Sequence, residues 1–60
     1  MEKVFYEDLH VGDIESNPND KQCVAYSFLA GGYIGSFDTA KEATTAIIRA
    51  HNRHTWSMAV

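Results

Sequence analysis

Residues 23–52 read CVAYSFLAGGYIGSFDTAKEATTAIIRAHN, and this stretch decides the fold. From Gln22 to Leu29 the side chains alternate. Val24, Tyr26 and Phe28 fall on one face of an extended chain; Cys23, Ala25, Ser27 and Leu29 fall on the other. A period of two is the signature of a strand, and Tyr, Phe and Val suit a pleated surface. Gly31-Gly32 supplies positive φ for a tight turn. A return strand over 33–37 follows, with Tyr33 and Phe37 sharing a face and Ile34 opposite. Gly35 within it marks either a bulge or the close approach of a neighbour. Thr39-Ala40-Lys41-Glu42 then fits a capping box, with Thr39 capping the first turn and Glu42 reaching back to its amide. Asp38 and Glu42 put negative charge at the positive end of the helix dipole. A helix over 40–52 is expected. Ala40, Ala43, Thr44, Ile47, Ala50, His51 and His54 recur at helical spacing, with Ile47 or Ile48 as the anchor against a sheet. Arg49, Arg53 and the histidines sit where they complement the negative end of the dipole, and Asn52 is the expected stop.

Working outward, Val4-Phe5-Tyr6 lies within a strand over 3–9. Leu9 to Asp13 reads as a turn punctuated by Gly12, followed by a short strand over 14–16. Asn17-Pro18-Asn19-Asp20 is a second turn signal. It lets 14–16 run back against Lys21–Val24 as another hairpin. At the other end, residues 55–60 alternate again, with Trp56, Met58 and Val60 on one side. They form either an edge strand or a frayed tail. The expected architecture is a single α+β domain over 1–60 with two layers. An antiparallel sheet of three or four strands carries one helix on one face, in the order β-β-β-α with an optional last strand. If Tyr26, Phe28, Tyr33 and Phe37 face away from the helix, they form an apolar patch that needs a partner.

The chain has 60 residues, one cysteine and a formal charge of −3. A chain of this length buries only about 60% of its unfolded surface, and such domains often depend on disulfides, metals or self-association. Cys23 is the single cysteine, so an internal disulfide is excluded. One cysteine and no signal-peptide pattern point to a reducing, cytoplasmic setting. No apolar run is long enough to cross a membrane as a helix. A homodimer is the favoured assembly over a monomer, with Trp56, Met58 and Val60 as a candidate interface. The charge is unevenly spread. Residues 1–20 hold six carboxylates against Lys3, a net −5; residues 41–60 hold Lys41, Arg49 and Arg53 against Glu42, a net +2. An acidic edge of this kind gives solubility and offers a docking surface to a basic partner.

The chemistry-bearing residues do not assemble into a catalytic motif. His51 and His54 lie three apart, a spacing two metal ligands can share, but no further ligand is placed with them. A solvated helix end explains them, and no metal site is assigned. Cys23 sits mid-strand without a neighbour that lowers its pKa, which fits a small buried hydrophobe. Gly31 to Ser36 lacks the spacing and the Gly-Lys-Ser/Thr ending of a phosphate loop. The pairs Glu7-Asp8 and Asp13/Glu15 have no second catalytic group beside them, and a domain this small has little room for a deep pocket. No catalytic residue and no cofactor are expected.

The run YIGSFDTAKEATTAI, Tyr33 to Ile47, resembles the third strand and helix start of AP2-type domains. These occur in plant transcription factors and at the amino terminus of some phage and transposon integrases. Gly35, Phe37, Asp38, Thr39, Ala40, Glu42 and Ala43 match that family's Gly-x-Phe-Asp-Thr-Ala-x-Glu-Ala run, about a quarter of the chain. The resemblance implies a three-stranded sheet followed by a helix, and DNA as the ligand. The family reads DNA with arginines and tryptophans on its strands; here the corresponding strands offer Lys21 alone. Phe5 to Asp13 is similar to the opening of MaoC-like hot-dog dehydratases, but that family's active-site Asp and His segment has no counterpart here.

Phosphate contacts come largely from Lys and Arg, and five of these against eight acids make nucleic acid the disfavoured ligand. The leading expectation is therefore a small non-enzymatic protein-binding module. In size and charge it resembles accessory proteins of phages and mobile elements, including inhibitors such as anti-CRISPR proteins. Glu7, Asp8, Asp13, Glu15 and Asp20 are the residues expected to meet a partner's basic surface. The first alternative is a degenerate AP2-like nucleic-acid binder using Lys21, Lys41, Arg49 and Arg53. The second is a structural self-associating domain.

Overall fold

The computed structural model describes residues 1–17, 19 and 21–58, with side chains as far as Thr55 at the helix end. Four strands precede one helix: β1 (Glu2–Tyr6), β2 (Leu9–Asn17), β3 (Gln22–Ser27), β4 (Gly32–Phe37) and α1 (Ala40–Met58). The sheet is an antiparallel meander in the order β1-β2-β3-β4. The helix packs across one face and touches every strand. This is the expected α+β layering, with corrections to the strand count and the order. The sheet has four strands, all before the helix. No described residue after the helix forms an edge strand.

The first correction concerns the β1–β2 hairpin. A strand over 3–9 followed by a turn at Leu9 to Asp13 is not what forms. Tyr6 pairs with Leu9, so the turn is the two residues Glu7-Asp8, with φ of 51° and 68°. Two consecutive positive φ values match the right-handed twist of the flanking strands. Gly12 lies inside β2, not at a turn. Val4 pairs with Gly12 and Phe5 with His10, which leaves Val11 as an extra residue. This bulge turns both Val11 and Gly12 toward the helix. The short strand over 14–16 is thus the far half of a nine-residue strand.

A second bulge repeats the device in β4. Ala25 pairs with Gly35 and Tyr26 with Tyr33, leaving Ile34 extra. Ile34 and Phe37 consequently pack against the core, while Tyr33 points to the other side. Phe37 therefore does not join the outward patch that strict alternation places it in. The β3 strand also ends at Ser27, short of Leu29; Phe28 to Gly31 connect it to β4, with Gly31 at φ 87°. The chain after Asn17 does turn back from β2 into β3. Asn17 pairs with Gln22, the Lys21 amide donates to the Asn17 carbonyl, and the Asn19 amide donates to Asn17 Oδ1.

The helix begins where the sequence places it. The Glu42 amide donates to Thr39 Oγ1 at 3.1 Å, and the Ala43 amide to the Thr39 carbonyl. The reciprocal bond, from the Thr39 amide to the Glu42 carboxylate, is not made. Asn52 does not stop the helix, which runs to Met58. Asparagine costs well under 1 kcal/mol inside a helix, and no glycine or proline follows it. The stretch over 55–60, expected as an edge strand or a frayed tail, is helical to Met58. The side chains of Trp56 and Met58, and all of Val60, lie outside the described residues, as does the dimer interface assigned to them. No helix among the described residues is long and apolar enough to cross a membrane.

The core is Val4, Val11, Ile14, Ala25, Ala43 and Ile47, with Tyr6, Cys23, Ile34 and Phe37 packed around it. Ile47, not Ile48, is the anchor, with no exposed surface. It sits over Gly12, where a methyl group would overlap the Tyr26 carbonyl and come within 2.8 Å of Ile47 Cγ2. Ser27 is also fully buried under the helix, and its hydroxyl has no hydrogen-bond partner among the described residues.

Two outcomes follow for stability. Gly12→Ala lifts Ile47 off the sheet and costs about 3 kcal/mol, the upper end for overpacking. Its thermal melt is expected to lose cooperativity or to fall by more than about 10 °C. Ser27→Ala removes a hydroxyl that is buried unpaired, and is expected to raise stability by about 1 kcal/mol. A loss on Ser27→Ala would show that the hydroxyl is satisfied in solution.

Candidate functional site

The helix covers one face of the sheet; the other is open. Its composition follows from the pairing register. Lys3, Asp13, Tyr26 and Tyr33 form one row across all four strands, and Glu15, Val24 and Ser36 form the next. Phe5 and His10 pair at the opposite end. Their rings lie 5.2 Å apart, and Phe28 meets His10 edge-on at 4.8 Å. Tyr26 and Tyr33 make a second edge-on pair at 6.3 Å. The open face is thus an aromatic band. Phe5, Phe28 and Tyr33 are 57%, 54% and 64% exposed.

Carboxylates are set into this band. His10 Nε2 lies 2.9 Å from Asp13 Oδ1, which fixes the imidazole between the two phenylalanines. The Tyr26 hydroxyl donates to Glu15 Oε2 at 3.4 Å. Partial burial, and then the Glu15 charge and this hydrogen bond, hold the Tyr26 phenol above its ordinary value of 10.0. Tyr33 Oη and Ser36 Oγ approach to 3.5 Å. The only lysine or arginine on this face among the described residues is Lys3, which pairs across to Asp13.

The five acidic residues expected to meet a partner do not form one cluster. Asp13 and Glu15 lie on the open face, among the aromatics. Glu7 and Asp8 occupy the β1–β2 turn at the end of the sheet, both exposed. Asp20 lies outside the described residues. The cations divide too. Lys21 sits in the β2–β3 turn with φ of 56°, at the opposite end from Glu7-Asp8. Lys41, Arg49 and Arg53 line one groove between the helix and β4. His51 packs beside Tyr6 at 6.1 Å, while His54 lines the groove, so the two imidazoles are parted. Among the described residues no three of His, Cys, Asp and Glu gather as a metal site would require.

Phe5 and His10 are the members of the open face that sequence alone does not assign. Their signal is the Val11-Gly12 pair, since an apolar residue before a strand glycine permits the bulge that flips the alternation.

The turn bears on this site because its first side chain, Glu7, is badly suited to it, whereas aspartate tolerates left-handed φ. Type I′ turns favour Asn-Gly, and left-handed φ costs other residues roughly 1–2 kcal/mol each. Replacing Glu7→Asn together with Asp8→Gly is expected to raise the melting temperature by about 5 °C or more. An unchanged or lower melting temperature would show that the turn is relaxed as it stands.

No family model, no curated protein and no solved structure matches this chain, so its site is read from its own geometry.

Proposed function

We propose that the chain is a small non-enzymatic protein-binding module whose open sheet face docks on a basic surface of a partner protein. The observation that carries this reading is the exposed band of Phe5, Phe28 and Tyr33, with Asp13 and Glu15 set into it. Aromatic side chains dominate binding hot spots because each buries a large area at little entropic cost. Tyr and Phe faces attract guanidinium and ammonium groups, and the neighbouring carboxylates add direct charge complementarity. A lysine- or arginine-bearing surface satisfies both at once. In this reading the chain belongs with the small acidic accessory proteins and inhibitors of phages and mobile elements, anti-CRISPR proteins among them.

The AP2-like alternative assigns DNA to Lys21, Lys41, Arg49 and Arg53. Lys21 lies in the β2–β3 turn, apart from the helix groove that the other three line. On the sheet face by which that family reads DNA, a phosphate backbone would meet Asp13 and Glu15, with Lys3 the one lysine or arginine among the described residues. Protein is therefore the favoured ligand.

The test is capture from host lysate with and without nuclease, followed by titration of the purified partner. Phe28→Ala with Tyr33→Ala is expected to weaken that partner's binding by roughly thirtyfold, about 2 kcal/mol. Glu15→Lys is expected to weaken it further at low salt than at high salt. Recovery of nucleic acid alone, or equal affinity in all variants, overturns the proposal.

A further inference from the structure

A second site lies on the opposite layer and has the opposite charge. The groove between α1 and β4 has a volume of about 840 Å³. Its floor is apolar, with Ile34 and Phe37 from β4 and Ala50 from the helix. Its rim carries Lys41, Arg49 and Arg53. These are three of the five lysines and arginines in the chain. None of the three makes an ion pair among the described residues, where the single close pair is His10 with Asp13. Glu42 is the one carboxylate lining the groove. Three exposed cations on one side of the helix, against the single carboxylate of Glu42, leave the groove net positive and favour an anionic ligand.

The other wall limits what that ligand is. β4 ends the sheet, with β3 as its only neighbour among the described residues, so its outer backbone groups are open to a further strand. The spacings also agree. Arg49 and Arg53 are one step of four apart on the helix, about 6 Å along its axis, and Lys41 lies about 12 Å before Arg49. Alternate side chains of an extended peptide repeat about every 6.7 Å. Carboxylates on alternate residues of a strand laid along β4 therefore stay in step with the cation row. The side chains between them point to the other side of the sheet, beside the open face.

We propose that this groove binds an extended acidic segment of a partner protein, added beside β4 as a fifth strand. Backbone bonds to the β4 edge give the register, and Lys41, Arg49 and Arg53 select the charge. The inference is independent of the open-face reading, because it uses the other layer, the opposite charge and different residues. A single nucleic-acid strand also spaces its charges evenly, but it has no peptide groups to pair with β4.

Fluorescence anisotropy tests this with a labelled eight-residue peptide that alternates glutamate and valine. Saturable binding is expected, weakened at least tenfold by the glutamine–valine version of the peptide. Arg49→Glu with Arg53→Glu is expected to cause a similar loss while the helix signal in circular dichroism is retained; Arg49→Gln with Arg53→Gln serves if the reversal unfolds the chain. N-methylation of alternate peptide amides is expected to abolish binding in one of its two registers. Phe5→Ala, in β1 at the far edge of the sheet, leaves this affinity unchanged, which separates it from the open face. No saturable binding at millimolar peptide overturns the proposal. So does tighter binding of an eight-nucleotide oligothymidylate, which makes the groove a phosphate site. Self-association that the peptide does not displace, and that the arginine variants abolish, assigns the groove to a second copy of the chain and likewise overturns it.

Discussion

The rest of the structure depends on how closely Ile47 can approach the backbone at Gly12. A helix stacks on a sheet only if the residues between them let the two backbones meet at a fixed distance. Here the meeting point holds a bare glycine on the sheet and alanine at position 43, one turn before Ile47. The fully buried positions are consequently small and medium residues, with Tyr6 and Phe37 at the margin of the core. The larger rings Phe5, Tyr26, Phe28 and Tyr33 are left on the other face. A chain this short would normally bury its aromatics first, since they contribute the most area. This one seats its helix on small residues and keeps four aromatic rings where a partner can reach them.

The elements that rest on local chemistry were legible in the sequence. Thr39 caps the helix, Asn17 bends the chain between β2 and β3, and period-two alternation marks β3. Errors arose where one residue changes the meaning of all that follow it. Val11 and Ile34 are extra residues in their strands, and each reverses the in–out pattern downstream. Alternation alone therefore put Phe37 outside and cut β2 at Gly12. The helix end was misread for a different reason. Asn52 is a weak stop, and no local feature overrides the hydrogen bonds that carry the helix on, including the turn in which Thr55 Oγ1 donates to the His51 carbonyl.

The charged residues were legible as a composition but not as surfaces. The acidic excess of the first twenty residues spreads over a turn and an open face, because successive strand residues point to opposite sides. The cations of the helix converge instead, because residues four apart share one side of a helix. The molecule therefore presents carboxylates on one layer and guanidinium groups on the other. The sheet between them separates the two sets, which explains how a chain with both signs forms so few ion pairs of its own among the described residues.

The meander order has a consequence for how the chain reaches this state. Every strand pairs with its neighbour in sequence, through connections of two to four residues. No pairing waits for a distant segment, so the entropy lost in closing each loop is small and is recovered at once by the ladder it creates. Such low contact order belongs with rapid folding, and hairpins can close successively as the chain lengthens. The one long-range step is the docking of α1, which must find β1 and β2 across more than twenty residues. The barrier is therefore expected to lie in seating that helix, the event that joins the four strands into one layer with a covered side.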